Sequence, residues 1–256
     1  MTGVHFQDAE GPEGMRIHAI GDVHGRLDLL ERMHARIAAE LAQNPPREWR
    51  IIHLGDYVDR GPDSAGVIEF VAARTRENPR VLALAGNHET KFLAFLASIE
   101  QWQQFADFGG RETALSYGVD IDFSTLAGLR EGHEKLKRAV PESHMGFLNG
   151  LGYSAAFGDF FFCHAGIRPG VPLDEQSTHD LTWIRGEFLN HPGLHPKVIV
   201  HGHTPHEEPE VLANRVNVDT RAYASGVLTA LVIDGGQKRI LQVSDRDQWA
   251  PSAPTP

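Results

Sequence analysis

Cysteine is almost absent from this chain. Cys163 stands alone among 256 residues, which excludes an intrachain disulfide and suits a reducing compartment. A basic surplus is missing too. The 24 Lys and Arg against 34 Asp and Glu leave a formal charge of −10. That is the wrong sign for sequence-independent nucleic-acid binding, which needs cations to displace counterions from phosphates. It does not exclude a small phosphorylated substrate, because a local metal site can reverse the field around it. No apolar run approaches the roughly 20 residues of a membrane helix, so no membrane association is expected. The first stretch, MTGVHFQDAEGPEG, has neither a basic start nor an apolar segment. No secretory signal is expected there, and the expected location is cytoplasmic. No internal repeat occurs, and nothing in the sequence specifies an oligomeric state.

What is present reads as a globular α/β chain. The hydrophobic share of 41% and charged share of 23% are ordinary. Residues 1–14 are polar and Gly-rich and read as a loose arm. Residues 248–256 are Pro-rich and read as a flexible tail. Between them, 15–247 reads as a single domain. Arg16–Ile20, Arg50–Leu54 and Val81–Ala85 are apolar enough to be strands. A segment with helical spacing follows each: Leu27, Leu30, Ile37 and Leu41; Val67, Phe70 and Val71; Phe92, Phe95 and Leu96. Such alternation predicts βαβ units. Residues 99–150 read as a mostly helical insertion. Strands are then expected at Tyr153–Phe157, Phe160–Cys163, Val198–Val200, Val216–Val218, Leu228–Ile233 and Arg239–Val243, with a short helix over Trp183–Leu189. The expected architecture is α/β, a sandwich of two sheets flanked by helices.

The chemistry collects after the strands. The first three end in Gly-bounded polar turns: Gly21-Asp22-Val23-His24-Gly25, Gly55-Asp56-Tyr57-Val58-Asp59-Arg60-Gly61 and Gly86-Asn87-His88-Glu89. Two later strands end in His164-Ala165-Gly166 and Gly202-His203-Thr204. Ligand sites of α/β sheets gather at the carboxyl ends of strands. Carboxylates, imidazoles and a carboxamide oxygen suit Mn, Fe or Zn. Asp22 and His24 can point the same way off one turn, Asp56 can give an oxygen to each of two metals, and Asn87, His164 and His203 can complete the second. A lone Asp-x-His or Gly-Asn-His is usually an ordinary turn. Five such turns, each after an apolar strand, make a dinuclear metal site at the strand ends the better reading.

At these residues the sequence resembles the phosphoprotein phosphatase family of calcineurin-like metallophosphoesterases, particularly its small bacterial serine/threonine phosphatases. The pattern Gly-Asp-x-His-Gly, Gly-Asp-Tyr-Val-Asp-Arg-Gly, Gly-Asn-His-Glu, His-Ala-Gly and Gly-His-Thr covers residues 21–204. Weaker similarities are Gly109-Gly110 with Ser116-Tyr117-Gly118, Pro141-Glu142-Ser143-His144, and Trp183-Ile184-Arg185. The resemblance implies that Asp22, His24 and Asp56 bind a first metal, and that Asp56, Asn87, His164 and His203 bind a second. Two divalent ions, Mn²⁺ foremost and Fe or Zn as substitutes, would hold a bridging hydroxide for attack on phosphorus. His88 resembles the catalytic histidine, and Asp59 its partner, orienting the ring and favouring its protonated form. Arg60 and Arg185 resemble the phosphate clamps. One departure is Arg221, which stands after Asp219-Thr220 where the family usually has glycine; Ala85, where a polar residue is common, is another.

Other residues have plainer readings. Cys163, in Phe160-Phe161-Phe162-Cys163, reads as a buried apolar residue and not a nucleophile. His53 and His201 read as supporting or packing groups, and Phe92, Phe95 and Leu96 as core. Trp102 and Tyr117 fit either the substrate mouth or packing within the insertion. The expected function is a metal-dependent phosphoester hydrolase, foremost a serine/threonine protein phosphatase acting on a phosphorylated protein or small phosphoester. The alternatives are a diadenosine tetraphosphate hydrolase and a catalytically inactive phosphate-binding module. The resemblance implies that tetraphosphatases lack the acid before the motif arginine and carry Asp after Asn-His, so Asp59 and Glu89 favour the phosphatase.

Overall fold

The computed structural model describes residues 3–247. Strands β1 (Met15–Ile20), β2 (Glu48–His53) and β3 (Val81–Ala83) are linked by helices α1 (Leu27–Gln43) and α2 (Ser64–Glu77), and α3 (Asn87–Ala97) follows β3. The three strands run parallel; β9 (Val227–Asp234) pairs antiparallel with β1 and β10 (Gln237–Ser244) antiparallel with β9, in the order β10-β9-β1-β2-β3. The second sheet is built from β4 (Ser154–Phe157), β5 (Phe160–Cys163), β6 (Val198–His201), β7 (Glu210–Val211) and β8 (Arg215–Asn217). Its order is β4-β5-β6-β8-β7, with β5, β6 and β8 parallel.

The layering follows from which face each side chain takes. Ile17, Ala19 and Ile52 of the first sheet meet Phe160, Phe162, Val198 and Val200 of the second in one core. The opposite face of the first sheet is covered by Leu29, Leu30, Met33 and Ile37 of α1 and Val67 and Val71 of α2. The outer face of the second sheet puts Phe161, Cys163 and Ile199 against Leu181 and Phe188. Alternate residues of Phe160–Cys163 thus enter two cores, which is why the segment is continuously apolar, as parallel strands covered on both faces are. No helix among the described residues is long and apolar enough to cross a membrane.

Residues 99–150 form α4 (Trp102–Asp107), α5 (Gly110–Ser116), α6 (Leu126–Ala139) and α7 (Glu142–Asn149). Phe105 stacks on Phe92 and Phe95 of α3, with ring centroids 5.8 and 4.4 Å apart, and so roots the insertion in the main core. Trp102 packs beside Phe123, and the Tyr117 hydroxyl meets His144 Nδ1 at 2.8 Å. Both belong to packing within the insertion.

Two expectations need correcting. Residues 3–14 are not a loose arm. Val4 N donates to His195 O, Phe6 N to Ala213 O and Gly11 N to Gly235 O, while Ala9 is fully buried and Val4 and Phe6 pack on the core between the sheets. The Gly and acidic residues obscure this apolar series. Nor is there one helix over Trp183–Leu189. Helices α8 (Thr178–Trp183) and α9 (Gly186–Leu189) are separated at Ile184 and Arg185, whose backbones leave the helical region. The tail at 248–256 lies outside the described residues.

Candidate metal centre

Every parallel strand delivers a polar residue to the same place. Asp22 and His24 follow β1, Asp56 to Arg60 follow β2, Asn87 and His88 open α3 after β3, His164 follows β5, and His203 follows β6. The backbone there is unusual. His24, Asp56, Asp59, Arg60 and His203 take positive φ values of 45°, 54°, 72°, 69° and 64°. Non-glycine residues are seldom left-handed, and such strain collects at functional sites. The neighbouring glycines permit close approach: a Cβ at Gly86 or Gly202 would collide with the carboxylates of Asp56 and Asp22.

Two tight groups of potential ligand atoms share Asp56: His24, Asp56 and His88, and Asp56, His164 and His203. Asp56 Oδ2 lies 3.5 Å from His24 Nε2 and Oδ1 lies 3.3 Å from His164 Nε2. The Asn87 carboxamide oxygen is 2.9 Å from His164 Nε2 and 2.8 Å from His203 Nδ1. Asp22 stands slightly apart, its carboxylate accepting from His203 N at 3.1 Å. His88 takes its place in the first group, 3.8 Å from Asp56 Oδ2.

The donor set fits divalent cations. His24 Nδ1–H donates to Val58 O at 2.7 Å, and His164 Nδ1–H to Leu54 O at 2.9 Å. Each bond fixes a tautomer and leaves Nε2 facing inward, the arrangement expected behind a metal-ligating imidazole. Burial holds His24 well below the usual histidine range and His203 down to about 2, so both present lone pairs. Burial, followed by the neighbouring charges of Asp219 and Asp56, pushes Asp22 well up. Burial opposes charge on His164, yet the carboxylate of Asp56 carries it to about 10. Crowded carboxylates drawing a proton onto an inward imidazole mark a place built for positive charge.

His88 and Asp59 form a separate unit. His88 Nδ1–H donates to Asp59 Oδ2 at 2.6 Å, and Asp59 Oδ1 accepts from Thr113 Oγ1 at 2.6 Å. Asp59 N in turn donates to Thr113 Oγ1, and Arg60 N to Gly109 O, so the insertion grips this turn through α5. Burial lowers His88 to about 4 and raises Asp59 to about 8, opposing the charged ring that the sequence reading expects this pairing to favour. Arg60 reaches across the centre, donating to His24 Nε2 at 3.1 Å and His88 Nε2 at 3.2 Å, with its guanidinium over Tyr223. Arg185 donates from Nε to His203 Nε2 at 3.0 Å, a reach allowed by the break between α8 and α9. Thr113→Val is expected to cost about 1–3 kcal/mol, because it strips a buried carboxylate of its donor. Turnover should fall with metal content unchanged. Denaturant unfolding and kcat at saturating substrate check this, and wild-type values for both would remove Thr113 from the unit.

Sequence reasoning missed Thr113 and named Asp219 only as part of a late segment, without a place in the site. Asp219 is buried beside Asp22, and its position just after β8 repeats the strand-then-acid pattern. Thr113 had no local signal. Arg221 adopts φ 53°, the conformation for which glycine is usual, and its guanidinium lies 3.8 Å from Glu207. His53 and His201 are sealed within the packing and lowered to about 3 by burial. Cys163 is buried with its thiol pushed up, so it is no nucleophile.

Two sheets whose parallel strands converge on buried carboxylates, imidazoles and a carboxamide define a metallophosphoesterase, a hydrolase of phosphoesters. Residues 15–227 match the calcineurin-like phosphoesterase family, and the chain belongs to it. The asymmetrical bis(5'-nucleosyl)-tetraphosphatase PrpE of Anoxybacillus flavithermus is 29% identical over 83% of this chain and 88% of its own. A crystal structure described as a candidate diadenosine tetraphosphatase superposes with a TM-score of 0.63 at 19% identity, covering 93% of this chain and 99% of that one. A protein serine/threonine phosphatase from Saccharomyces cerevisiae shares the fold, with a TM-score of 0.53 at 12% identity over 95% of this chain and 86% of that one.

Proposed function

We propose that this metallophosphoesterase hydrolyses dinucleoside tetraphosphates, cutting the phosphate chain asymmetrically. The observation that carries the reading is the similarity to tetraphosphatases along most of both chains. The geometry of Glu89 supports it by removing an argument for the protein phosphatase. Glu89 is 1% exposed, and its carboxylate accepts from the N–H groups of Gly86, Asp56, Tyr57 and Val58. That fills all of the roughly four lone-pair positions of a carboxylate. Glu89 stitches the second and third turns together, so its identity says little about the leaving group. The 2.6 Å bond between His88 and Asp59 keeps protein serine/threonine phosphatase as a second reading, since such a pair suits a poor alkoxide leaving group. The complete buried ligand set argues against an inactive module.

Asp22, His24, Asp56, Asn87, His164 and His203 would hold two divalent cations, with Mn²⁺ the first to try. Bound there, such ions supply Lewis acidity that activates water and neutralises phosphate oxygens. Arg60 and Arg185 would grip the outer oxygens with charge-assisted hydrogen bonds. His88, steered by Asp59, would stabilise or protonate the leaving oxygen.

The test is a side-by-side comparison with Mn²⁺ of diadenosine tetraphosphate against phosphoserine and phosphothreonine peptides. The dinucleotide should give the higher kcat/KM and yield adenosine mono- and triphosphate. Glu89→Asp should weaken the fold yet leave the ratio of the two kcat/KM values unmoved. Faster release from the peptides, or a ratio that follows residue 89, would return the assignment to the protein phosphatase.

A further inference from the structure

Lys91 is a cation without an anion. It lies on α3 one turn after His88 and is 6% exposed, yet its ammonium makes no hydrogen bond or ion pair among the described residues. Aromatic rings hold it instead. Nζ sits 2.8 Å from the centroid of Phe108 and 4.3 Å from that of Trp183. Both rings border the metal centre: Phe108 stands edge-on to His88 at 5.6 Å, and Trp183 to His203 at 6.1 Å. Phe108 comes from the loop after α4 and Trp183 ends α8, so the insertion and the second sheet each contribute one wall.

The side chain is enclosed while its ammonium has no anionic partner, and cation–π contact offsets only part of the cost of withdrawing a charge from water. Burial, helped by the neighbouring Arg60 guanidinium, pushes Lys91 down to about 8, and the fields of Asp59, Asp56 and Asp107 oppose that. Nothing in the Asp59–His88 unit needs it, because Asp59 already has the hydroxyl of Thr113 and the imidazole of His88. An unpaired cation beside a phosphoester centre calls for a second anion carried by the substrate. In a tetraphosphate the next phosphate follows the reacting one at fixed spacing. A phosphorylated side chain has none there.

We propose that Lys91, caged by Phe108 and Trp183, is a specificity residue that binds the phosphate chain beyond the reacting phosphate. This deepens the dinucleotide reading and rests on it for the physiological substrate. The half-buried Trp183 also places an apolar aromatic surface beside that chain.

The test uses the metal-loaded full chain as wild type, Lys91→Met and Lys91→Arg. Methionine keeps the length and apolar body of the side chain inside the cage and removes its charge. Three quantities are read: kcat/KM for p-nitrophenyl phosphate, kcat/KM for diadenosine tetraphosphate, and inhibition of the nitrophenyl reaction by orthophosphate and by tripolyphosphate at constant free Mn²⁺. Lys91→Met should lose roughly ten- to a hundredfold more on the dinucleotide than on the nitrophenyl ester, the value of a charged hydrogen bond to phosphate. Inhibition by tripolyphosphate should weaken by a similar factor relative to orthophosphate, and Lys91→Arg should restore much of both. Equal losses on both substrates, with unchanged inhibitor ratios, would mean that Lys91 merely supports the centre, and would overturn the proposal. So would no change in any quantity. If the wild type fails to cleave the dinucleotide but tripolyphosphate inhibition still depends on Lys91, the dinucleotide reading falls and the polyphosphate subsite stands. A melting curve for each variant confirms that the comparison is between folded proteins.

Discussion

Asp56→Asn should lower kcat/KM by three orders of magnitude or more and leave less than half the metal content of the parent protein. The scale is that of removing preorganised charge from a hydrolytic centre, on the order of 10²–10³ for a single donor, compounded here by loss of metal. Asp56 is the one residue common to both ligand groups. Its two oxygens face different imidazoles, Oδ1 toward His164 and Oδ2 toward His24 and His88, and Oδ1 also accepts from His88 N at 3.1 Å. Burial would push this carboxyl up, but the surrounding histidines, His164 and His88 foremost, hold it well below the usual range. Asparagine keeps the shape but offers one neutral oxygen, and its amide group donates where a cation must be accepted. One change therefore weakens both coordination spheres. Elemental analysis and turnover give the primary result. A third measurement is independent of activity: Mn²⁺ should raise the melting temperature of the wild type through linkage, and much less so in the variant. Two metals per chain with a near-normal rate would show that Asp56 is not the bridge.

The convergence of the candidate ligands was legible because each strand-end turn announces itself locally. A short apolar strand ending in a glycine-bounded polar turn can be read without knowing what faces it. Glycine precedes the polar residues at Asp22, Asp56, Asn87 and His203, and follows at Gly166 after His164. The βαβ order was legible for the same reason, with strand ends displaced by a residue or two. What stayed hidden depends on partners distant in sequence. Thr113 looks like any helix threonine until α5 docks against the turn at Asp59, 54 residues earlier. Glu89 reads as a marker of the phosphatase until its carboxylate is seen capping α3 and binding three amides of the Asp56 turn. Residues 3–14 look polar because a few apolar side chains are spaced among acids and glycines, and only the backbone bonds to Ala213, His195 and Gly235 reveal that they are fixed. The break at Arg185 is marked locally only by Gly186, a single glycine that helices often tolerate; the turn there carries Arg185 to His203.

His88→Asn should lower kcat by roughly 10²–10⁴, the usual contribution of a positioned proton donor. Metal content should remain at two per chain. The second half of that expectation carries the weight, because His88 lies within ligand reach of His24 and Asp56. Its ring has two nitrogens. Nδ1 is occupied at 2.6 Å by Asp59, and Nε2 faces Arg60 at 3.2 Å, the guanidinium proposed to clamp phosphate. An imidazole braced from behind by a carboxylate and opening onto a phosphate clamp is placed to act on the leaving oxygen. Burial disfavours its charged form, and an arriving phosphate anion favours it, so proton donation would be coupled to substrate binding. The dependence on leaving group then separates the roles. A donor matters most when the departing oxygen is a poor leaving group, so the variant should lose more on phenyl or alkyl phosphates than on p-nitrophenyl phosphate. On a dinucleoside tetraphosphate, whose departing group is itself a phosphate, the loss should resemble that on the nitrophenyl ester. An equal loss across all substrates together with a missing metal would identify His88 as a ligand that takes the place assigned to Asp22. An equal loss with both metals retained would leave it as a positioning group for Arg60.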